Sequence, residues 1–394
     1  MLDKENIKLL RIMKIAIVHD WLVSLSGAER VLFELHNMFP EAPVYTLFHN
    51  KKFTSKYLPK AEIRPSFLQR IPGIARTYKY FFFLMPTAIE SLDLSNFDLV
   101  ISSSAVFSKG LVLKPKTRHI CYCYSPTRQI WDLHSESQKS NVEGQVLERI
   151  AKHFLRLWDR QASDRVDQFV AISNHVADRI KKYYRRDSIV IYPPVILNNE
   201  QTTMNKKMLI THCSLPENYY LIVSRLYKHK NIYIAIEAFE KLNLPLVVIG
   251  TGPEYKNLRS KIKDRKSKIN FLGFIPDEEL PYYYQNCRAF IMPQEEDFGI
   301  TSVEAMSYGK PVLALKKGGA TETVVEGVTG EFFDDPIPEA LADGMRRLNE
   351  NYSKYNIDKI KSQSQKFSVE RFREEIKRLV YNKYNEALNN HNQL

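Results

Sequence analysis

The sequence predicts an α/β protein built from two doubly wound units with a cleft between them. Three observations carry that prediction. Short apolar runs of strand length recur along the chain, amphipathic patterns of helix length separate them, and the same rhythm restarts after Pro193 and Pro194. With 394 residues, the chain is long enough for two cores.

Lys14–Val18 (KIAIV) is the first buried strand, directly after Met13, so residues 1–12 read as an extension or an upstream start. A loop with Ser24, Ser26 and Gly27 leads into a helix near Ala28. Gly27 lets backbone approach a ligand where a side chain would collide, although the G-x-G-x-x-G spacing of a dinucleotide site is missing. Strands follow at Val44–Phe48, Leu99–Ser102 and His119–Tyr124; then come a helix over 146–165, a strand at Gln168–Ile172, a further helix and a strand at Ile189–Tyr192. The double proline stops any helix or central strand. It places the boundary: residues 13–195 form the first unit, 196–374 the second with a polar linker at 196–216, and a terminal helix at about 375–394, after a Ser368 cap, packs back. In the second unit, strands fall at Tyr219–Ser224, Leu246–Ile249, Ile269–Leu272, Ala289–Met292 and Pro311–Leu315, with helices at Asn231–Leu242 and Tyr255–Ile262. Alternation at this spacing means parallel sheets covered on both faces.

Apolar residues make up 44% and charged residues 26%, the balance of a soluble globular protein. No run is long enough to span a bilayer, and MLDKENIKLLR is no secretory signal, so a cytoplasmic address is expected. Cys121, Cys123, Cys213 and Cys287 lack C-x-x-C spacing and read as reduced thiols; no disulfide framework or metal site is expected. The net charge of +12 is uneven, because residues 1–195 hold 29 Lys and Arg against 19 Asp and Glu, whereas residues 196–394 hold 28 against 26. Within residues 51–79, eight Lys and Arg face the single Glu62. Such a surface attracts phosphate-rich partners. No nucleic-acid reading motif accompanies it. The stretch 51–90 mixes these bases with Phe81, Phe82, Phe83 and Leu84, and two readings stay open: a peripheral, anionic-membrane-facing segment, or an ordinary helix with a core face.

The chemistry concentrates in Met292–Gly330. A strand runs through Gly299 into a helix, and such a turn offers helix-end amides to anions. Glu296 stands at its mouth and Glu304 eight residues on, within the helix. Carboxylates accept from hydroxyls, so two of them flanking an anion-friendly turn suit a nucleotide sugar, with diphosphate in the middle and hydroxyls at both ends. Arg225 and Lys230 follow the first strand of the second unit, the end at which open parallel sheets bind ligands. Two cations there can hold a diphosphate and stabilise it as it departs.

Several ordered segments now carry a resemblance: KIAIVHDW…GAERV, CYCYSPTRQIWD, FVAISNHVADRI…IYPPV, SRLYKHKN, VVIGTGPEYKNLR, FLGFIPDEEL, and the E-x7-E block followed by GKPVLA and GGATETVVEGVTG. The chain resembles retaining glycosyltransferases of the group 1, family 4 type from Met13 onward, nearest to mannosyltransferase-like enzymes of O-antigen and exopolysaccharide synthesis. The resemblance implies the GT-B architecture, two Rossmann-like domains facing each other across a cleft. It implies transfer of a hexose, mannose favoured, from a nucleoside diphosphate sugar to a hydroxyl of a lipid-linked or oligosaccharide acceptor. By the same resemblance, Arg225 and Lys230 hold the diphosphate, Glu304 the ribose, and Glu296 the transferred sugar, with backbone amides at Phe298, Gly299 and Ile300. Gly27, after Ser26, faces the phosphates; Gly252 belongs to the donor side, and backbone at Phe274 and Ile275 meets the base. No metal or other cofactor is implied. Tyr124 departs from the pattern, standing where related sequences carry a histidine near the sugar. Either the phenol serves, or His19 or His119 does. A nucleotide-sugar epimerase and a non-catalytic nucleotide-sugar or membrane-binding protein are the rival functions.

Overall fold

The computed structural model describes residues 13–132, 142–197, 215–262 and 267–391; the extension 1–12, most of the 196–216 linker and Cys213 lie outside them. The chain divides into two compact units. Unit 1 comprises Met1–Pro194 with Val369–Leu394, and unit 2 comprises Val195–Ser368.

Unit 1 is a parallel seven-stranded sheet in the order β3-β2-β1-β4-β5-β6-β7. Its strands are β1 (Ile15–His19), β2 (Val44–Thr46), β3 (Ile63–Pro65), β4 (Leu99–Ser104), β5 (Arg118–Cys123), β6 (Gln168–Ala171) and β7 (Ser188–Val190). Every residue of β1 and β4 is buried, as strands with both faces covered require. β3 was not legible as a strand. It is an edge strand, the place where Pro65 costs no ladder hydrogen bond. The covering helices include α1 (Gly27–Met38), α2 (Val142–Asp164), α3 (Asn174–Tyr184) and, from the end of the chain, α4 (Val369–His391). α4 begins at Val369 rather than near 375, because Phe372 already packs on Tyr122 of β5, with ring centroids 5.7 Å apart.

The two readings of the 81–84 run divide it between them. The 3₁₀ segment Tyr78–Leu84 contains no buried residue. Phe81, Phe82 and Leu84 lean on the core from outside, whereas Tyr80 and Phe83 are exposed.

Polar groups also fill this interior. The Lys109 ammonium lies 2.5 Å from Asp159 Oδ1, and both side chains are buried. Asp159 accepts three further hydrogen bonds, from the Thr127 hydroxyl (3.0 Å), Trp131 Nε1 (2.7 Å) and the Tyr184 hydroxyl (2.8 Å). One carboxylate thus ties the segment after β5 to α2 and α3.

His119 is structural. It is fully buried in β5 with Nε2 2.8 Å from the Ser102 hydroxyl, and burial pulls its pKa down to about 3. An unfolded histidine binds its proton near pH 6.5, so between those values the unfolded chain holds the extra proton and acid favours unfolding. His119 is expected to cost about 2 kcal/mol of stability on going from pH 7 to pH 5. Urea melts across that range should show a shallower pH slope in His119→Gln; an unchanged slope would refute the assignment.

Unit 2 repeats the architecture as a parallel six-stranded sheet in the order β10-β9-β8-β11-β12-β13. Its strands are β8 (Tyr220–Val223), β9 (Leu246–Ile249), β10 (Ile269–Gly273), β11 (Ala289–Met292), β12 (Val312–Leu315) and β13 (Gly330–Phe333). In each sheet the order reverses beside the first strand, between β1 and β4 and between β8 and β11. Loops leaving the carboxyl ends of such a strand pair diverge and leave a crevice. Cys121, Cys123 and Cys287 are free and buried. Among the described residues no helix is long and apolar enough to cross a membrane.

Candidate functional site

In unit 2, the β8 and β11 loops bring the predicted residues together. After β8 the chain makes a 3₁₀ turn, Lys228–Lys230, and Asn231 (φ 53°) launches the helix Ile232–Leu242. That turn carries Lys230 inward to 8% exposure. Its ammonium donates to Glu296 Oε1 at 2.6 Å, and Gln294 Nε2 donates to the same oxygen at 2.8 Å. Gln294 drew no attention in the sequence; its neighbour Glu296 was the only signal. The Glu296 loop is braced by Gly319, whose N–H donates to the Glu296 carbonyl at 2.8 Å. Arg225, by contrast, is exposed, with its guanidinium 5.7 Å from the Tyr227 ring centroid.

Gly299 caps the helix Ile300–Ser307 with φ +92°, a left-handed conformation that an L side chain rarely adopts. A Cβ there would also press on Met292 Sδ at 3.2 Å. Phe298 is buried against Phe367, ring centroids 5.3 Å apart, and its backbone lies against Gly319, where an added Cβ would come within 2.3 Å of the Phe298 Cα. The first two amides of this helix, of Ile300 and Thr301, have no intrahelical acceptor, whereas that of Ser302 already donates to the Gly299 carbonyl at 3.1 Å. Glu304, one turn further, is nearly buried and accepts from the Tyr284 hydroxyl at 2.8 Å, a positioning contact not legible from sequence. Gly252 serves packing: a Cβ would sit 2.3 Å from the Leu226 carbonyl oxygen, so the missing side chain lets the β9 loop lie on the β8 loop. Phe274 is exposed just after β10, followed by Ile275.

In unit 1, Ser26, Gly27 and Tyr124 meet at the β1–β4 reversal, together with residues the sequence reading left aside. The Tyr124 hydroxyl is 2.9 Å from the Ala28 carbonyl, to which it donates its one proton, and 2.7 Å from the Ser103 hydroxyl. Ser103 must therefore donate to Tyr124 and accept from His19 Nδ1 at 3.0 Å, which assigns the Nδ1–H to His19. His19 Nε2 in turn faces Glu29 Oε1 at 3.5 Å. Burial raises the Glu29 carboxyl, but its contacts with His19 and then Ser26 outweigh that and leave it below the ordinary carboxylate value. Ser26-x-x-Glu29 has capping-box spacing, yet Ser26 donates its hydroxyl to Glu29 and caps no amide. Burial holds the Tyr124 phenol well above the usual tyrosine value, so it stays neutral and clamps the Ala28 backbone. Asp20 completes the arrangement by accepting from four successive amides, Ala105 to Ser108, at 2.7 to 2.9 Å.

A family model described as glycosyl transferases group 1 matches residues 212–366, and one described as glycosyltransferase family 4 matches residues 25–199. The chain is 28% identical over 211 residues to the O-antigen chain mannosyltransferase C of Escherichia coli, covering 52% of this chain and 56% of that protein. It is 24% identical over 428 aligned positions to the alpha-1,3/1,6-mannosyltransferase ALG2 of Dictyostelium discoideum, covering 93% and 98%. For several curated relatives, then, it spans about half of their length. The solved structure of Anabaena HepE in complex with UDP, a protein also solved with UDP-glucose, superposes with a TM-score of 0.68 at 19% identity, covering 93% of this chain and 99% of that one. At that identity the likeness shows the fold, which is that of the GT-B glycosyltransferases. With both units matched in order by the two family models, the chain belongs to the group 1, family 4 glycosyltransferases.

Proposed function

We propose that the protein transfers a hexose, mannose favoured, from a nucleoside diphosphate sugar to a hydroxyl of a lipid-linked or oligosaccharide acceptor in surface polysaccharide synthesis. The observation that carries this reading is the Lys230 ammonium seated on Glu296 beside the Gly299 helix start, at the strand reversal of unit 2. In the proposed reaction the bond from the sugar's anomeric carbon to the diphosphate breaks and its electron pair leaves with the phosphate. Lys230, Arg225 and the helix-end amides stabilise that charge, a role that calls on no metal. The acceptor oxygen bonds to the anomeric carbon from the face the phosphate leaves, and its proton passes to the departing phosphate oxygen. Configuration is thereby retained. Glu296 orients the sugar through its hydroxyls, and Glu304, held by Tyr284, receives the ribose. Mannose is favoured because the two relatives described are named as mannosyltransferases.

The test is thermal stabilisation and slow release of nucleoside diphosphate with GDP-mannose, UDP-glucose, UDP-N-acetylglucosamine and UDP-galactose, each alone. GDP-mannose is expected to stabilise the protein by about 2.7 kcal/mol at a hundred times its Kd and to be hydrolysed. If no donor stabilises the fold, the reading is wrong. Conversion of one nucleotide sugar into its epimer would replace transfer by epimerisation.

A further inference from the structure

We propose that Gln294 is a positioning residue for the transfer, holding the Glu296 carboxylate in place while Lys230 turns to the departing diphosphate; the inference rests on the transferase reading. Gln294 stands two residues past the end of β11, after Pro293, and is 3% exposed. Glutamine is seldom buried so deeply, and its amide needs partners at both ends. Only one end has one. Nε2 donates to Glu296 Oε1 at 2.8 Å, whereas Oε1 of Gln294 is sealed from solvent and has no hydrogen-bond partner among the described residues.

The orientation of the amide follows from Glu296. Turned over, it would set its own oxygen against a carboxylate oxygen, so the donor end must face Glu296. The fold therefore buries an unpaired carbonyl oxygen to place one N–H on one carboxylate. An apolar side chain of the same size would fill this space without that cost. What Gln294 contributes thus lies in Glu296, and because its other end is sealed, it acts through that residue and not by touching a ligand.

Lys230 donates to the same oxygen at 2.6 Å, but the two donors are not equivalent. Lys230 comes from the β8 loop on a long flexible stem, and in the proposed reaction its ammonium is also called on by the leaving diphosphate. Gln294 belongs to the same loop as Glu296. The backbone of that loop is pinned: the Gly319 N–H donates to the Glu296 carbonyl at 2.8 Å, and Gly318, at φ +63°, passes so close that an added Cβ would lie 2.3 Å from the same carbonyl oxygen. With the backbone fixed, what can still swing is the Glu296 side chain, and Gln294 holds its tip. Being neutral, the amide neither cancels the carboxylate's charge nor competes for the diphosphate. It is the donor that stays when Lys230 moves.

Gln294→Met tests this, since it removes both polar ends at nearly the same volume. Its melting temperature should equal or exceed that of the wild type, because an unpaired buried oxygen goes with the bond. The Kd for GDP alone should be unchanged, the diphosphate being assigned to Lys230 and Arg225. With GDP-mannose, kcat for release of GDP should fall by up to about a hundredfold while KM stays within about threefold, the signature of a misplaced group and not of lost binding. In a Glu296→Ala background the same substitution should change kcat by less than about twofold, since the residue it acts through is gone. Wild-type kcat in Gln294→Met, an equal loss in both backgrounds, or a lowered melting temperature together with lost GDP binding would each overturn the proposal. Should the wild type turn over UDP-glucose, UDP-N-acetylglucosamine or UDP-galactose instead, the same cycle runs on that donor and UDP. A wild type inactive on all four donors would sink the transferase reading and this inference with it, a result distinct from an active wild type matched by its variant.

Discussion

Lys230→Met is expected to lower kcat/KM for the sugar donor about a thousandfold, the largest loss from a single change in unit 2. A preorganised donor aimed at charge that develops in the transition state contributes roughly 3–4 kcal/mol in a water-poor site. Lys230 is 8% exposed and fixed on Glu296, and in the proposed reaction it faces the departing diphosphate. Its loss also strips Glu296 of its cation and leaves Gln294 as the donor on that oxygen. Arg225→Ala should cost less, because Arg225 is exposed and lies over Tyr227. The double variant Arg225→Ala, Lys230→Ala should be folded and inactive. Steady-state rates, with a thermal melt on each variant, make the comparison; wild-type turnover in folded Lys230→Met sinks the site assignment. Lys230→Arg should not rescue, since the broad guanidinium cannot occupy the place of a nearly buried ammonium.

Asp159→Leu is expected to destabilise unit 1 by about 3–5 kcal/mol, against a total of roughly 5–15 kcal/mol for a domain. The variant leaves Lys109 buried without its carboxylate and orphans the donors of Trp131 and Tyr184, while Thr127 keeps the Val106 carbonyl at 3.3 Å. Lys109→Met should cost less, because Asp159 keeps its hydrogen bonds from Thr127, Trp131 and Tyr184. Joining the two substitutions should recover part of the loss, since no unpaired charge is then left inside. Urea midpoints of the four proteins give the coupling directly. Additive losses would mean the ion pair carries no coupling.

Much of the fold was legible because parallel strands announce themselves as apolar runs. KIAIV, LVVI and AFIM needed no tertiary information, whereas the edge strands β3 and β13, short and interrupted by Pro65 or begun by Gly330, read as loop. In the site, Lys230 and Glu296 were legible for a topological reason: each closely follows a buried strand, and strand ends are where such sheets bind ligands. The constellation in unit 1 was not. Asp20 is separated by 85 residues from the first amide it accepts, and Tyr124 by 96 from the carbonyl it clamps. Only the strand order, which carries β4 beside β1, brings such residues together. Glu29 was equally silent in the sequence: the spacing of Ser26-x-x-Glu29 is that of a cap, but the carboxylate lies against His19 and holds the Ser26 hydroxyl.

The course of the chain through unit 1 also sets the order in which the protein can be completed during synthesis. Phe372, Ile376 and Val380 of α4 are buried in unit 1, yet they leave the ribosome only after all of unit 2. Unit 2 is one continuous stretch and can close as soon as Ser368 emerges, whereas the sheet of unit 1, translated first, must wait with the Tyr122 face uncovered. At about 5–20 residues per second that interval lasts on the order of ten seconds or more, long enough for an exposed apolar face to meet a chaperone or another nascent chain. The first half to be made is thus the last to be finished.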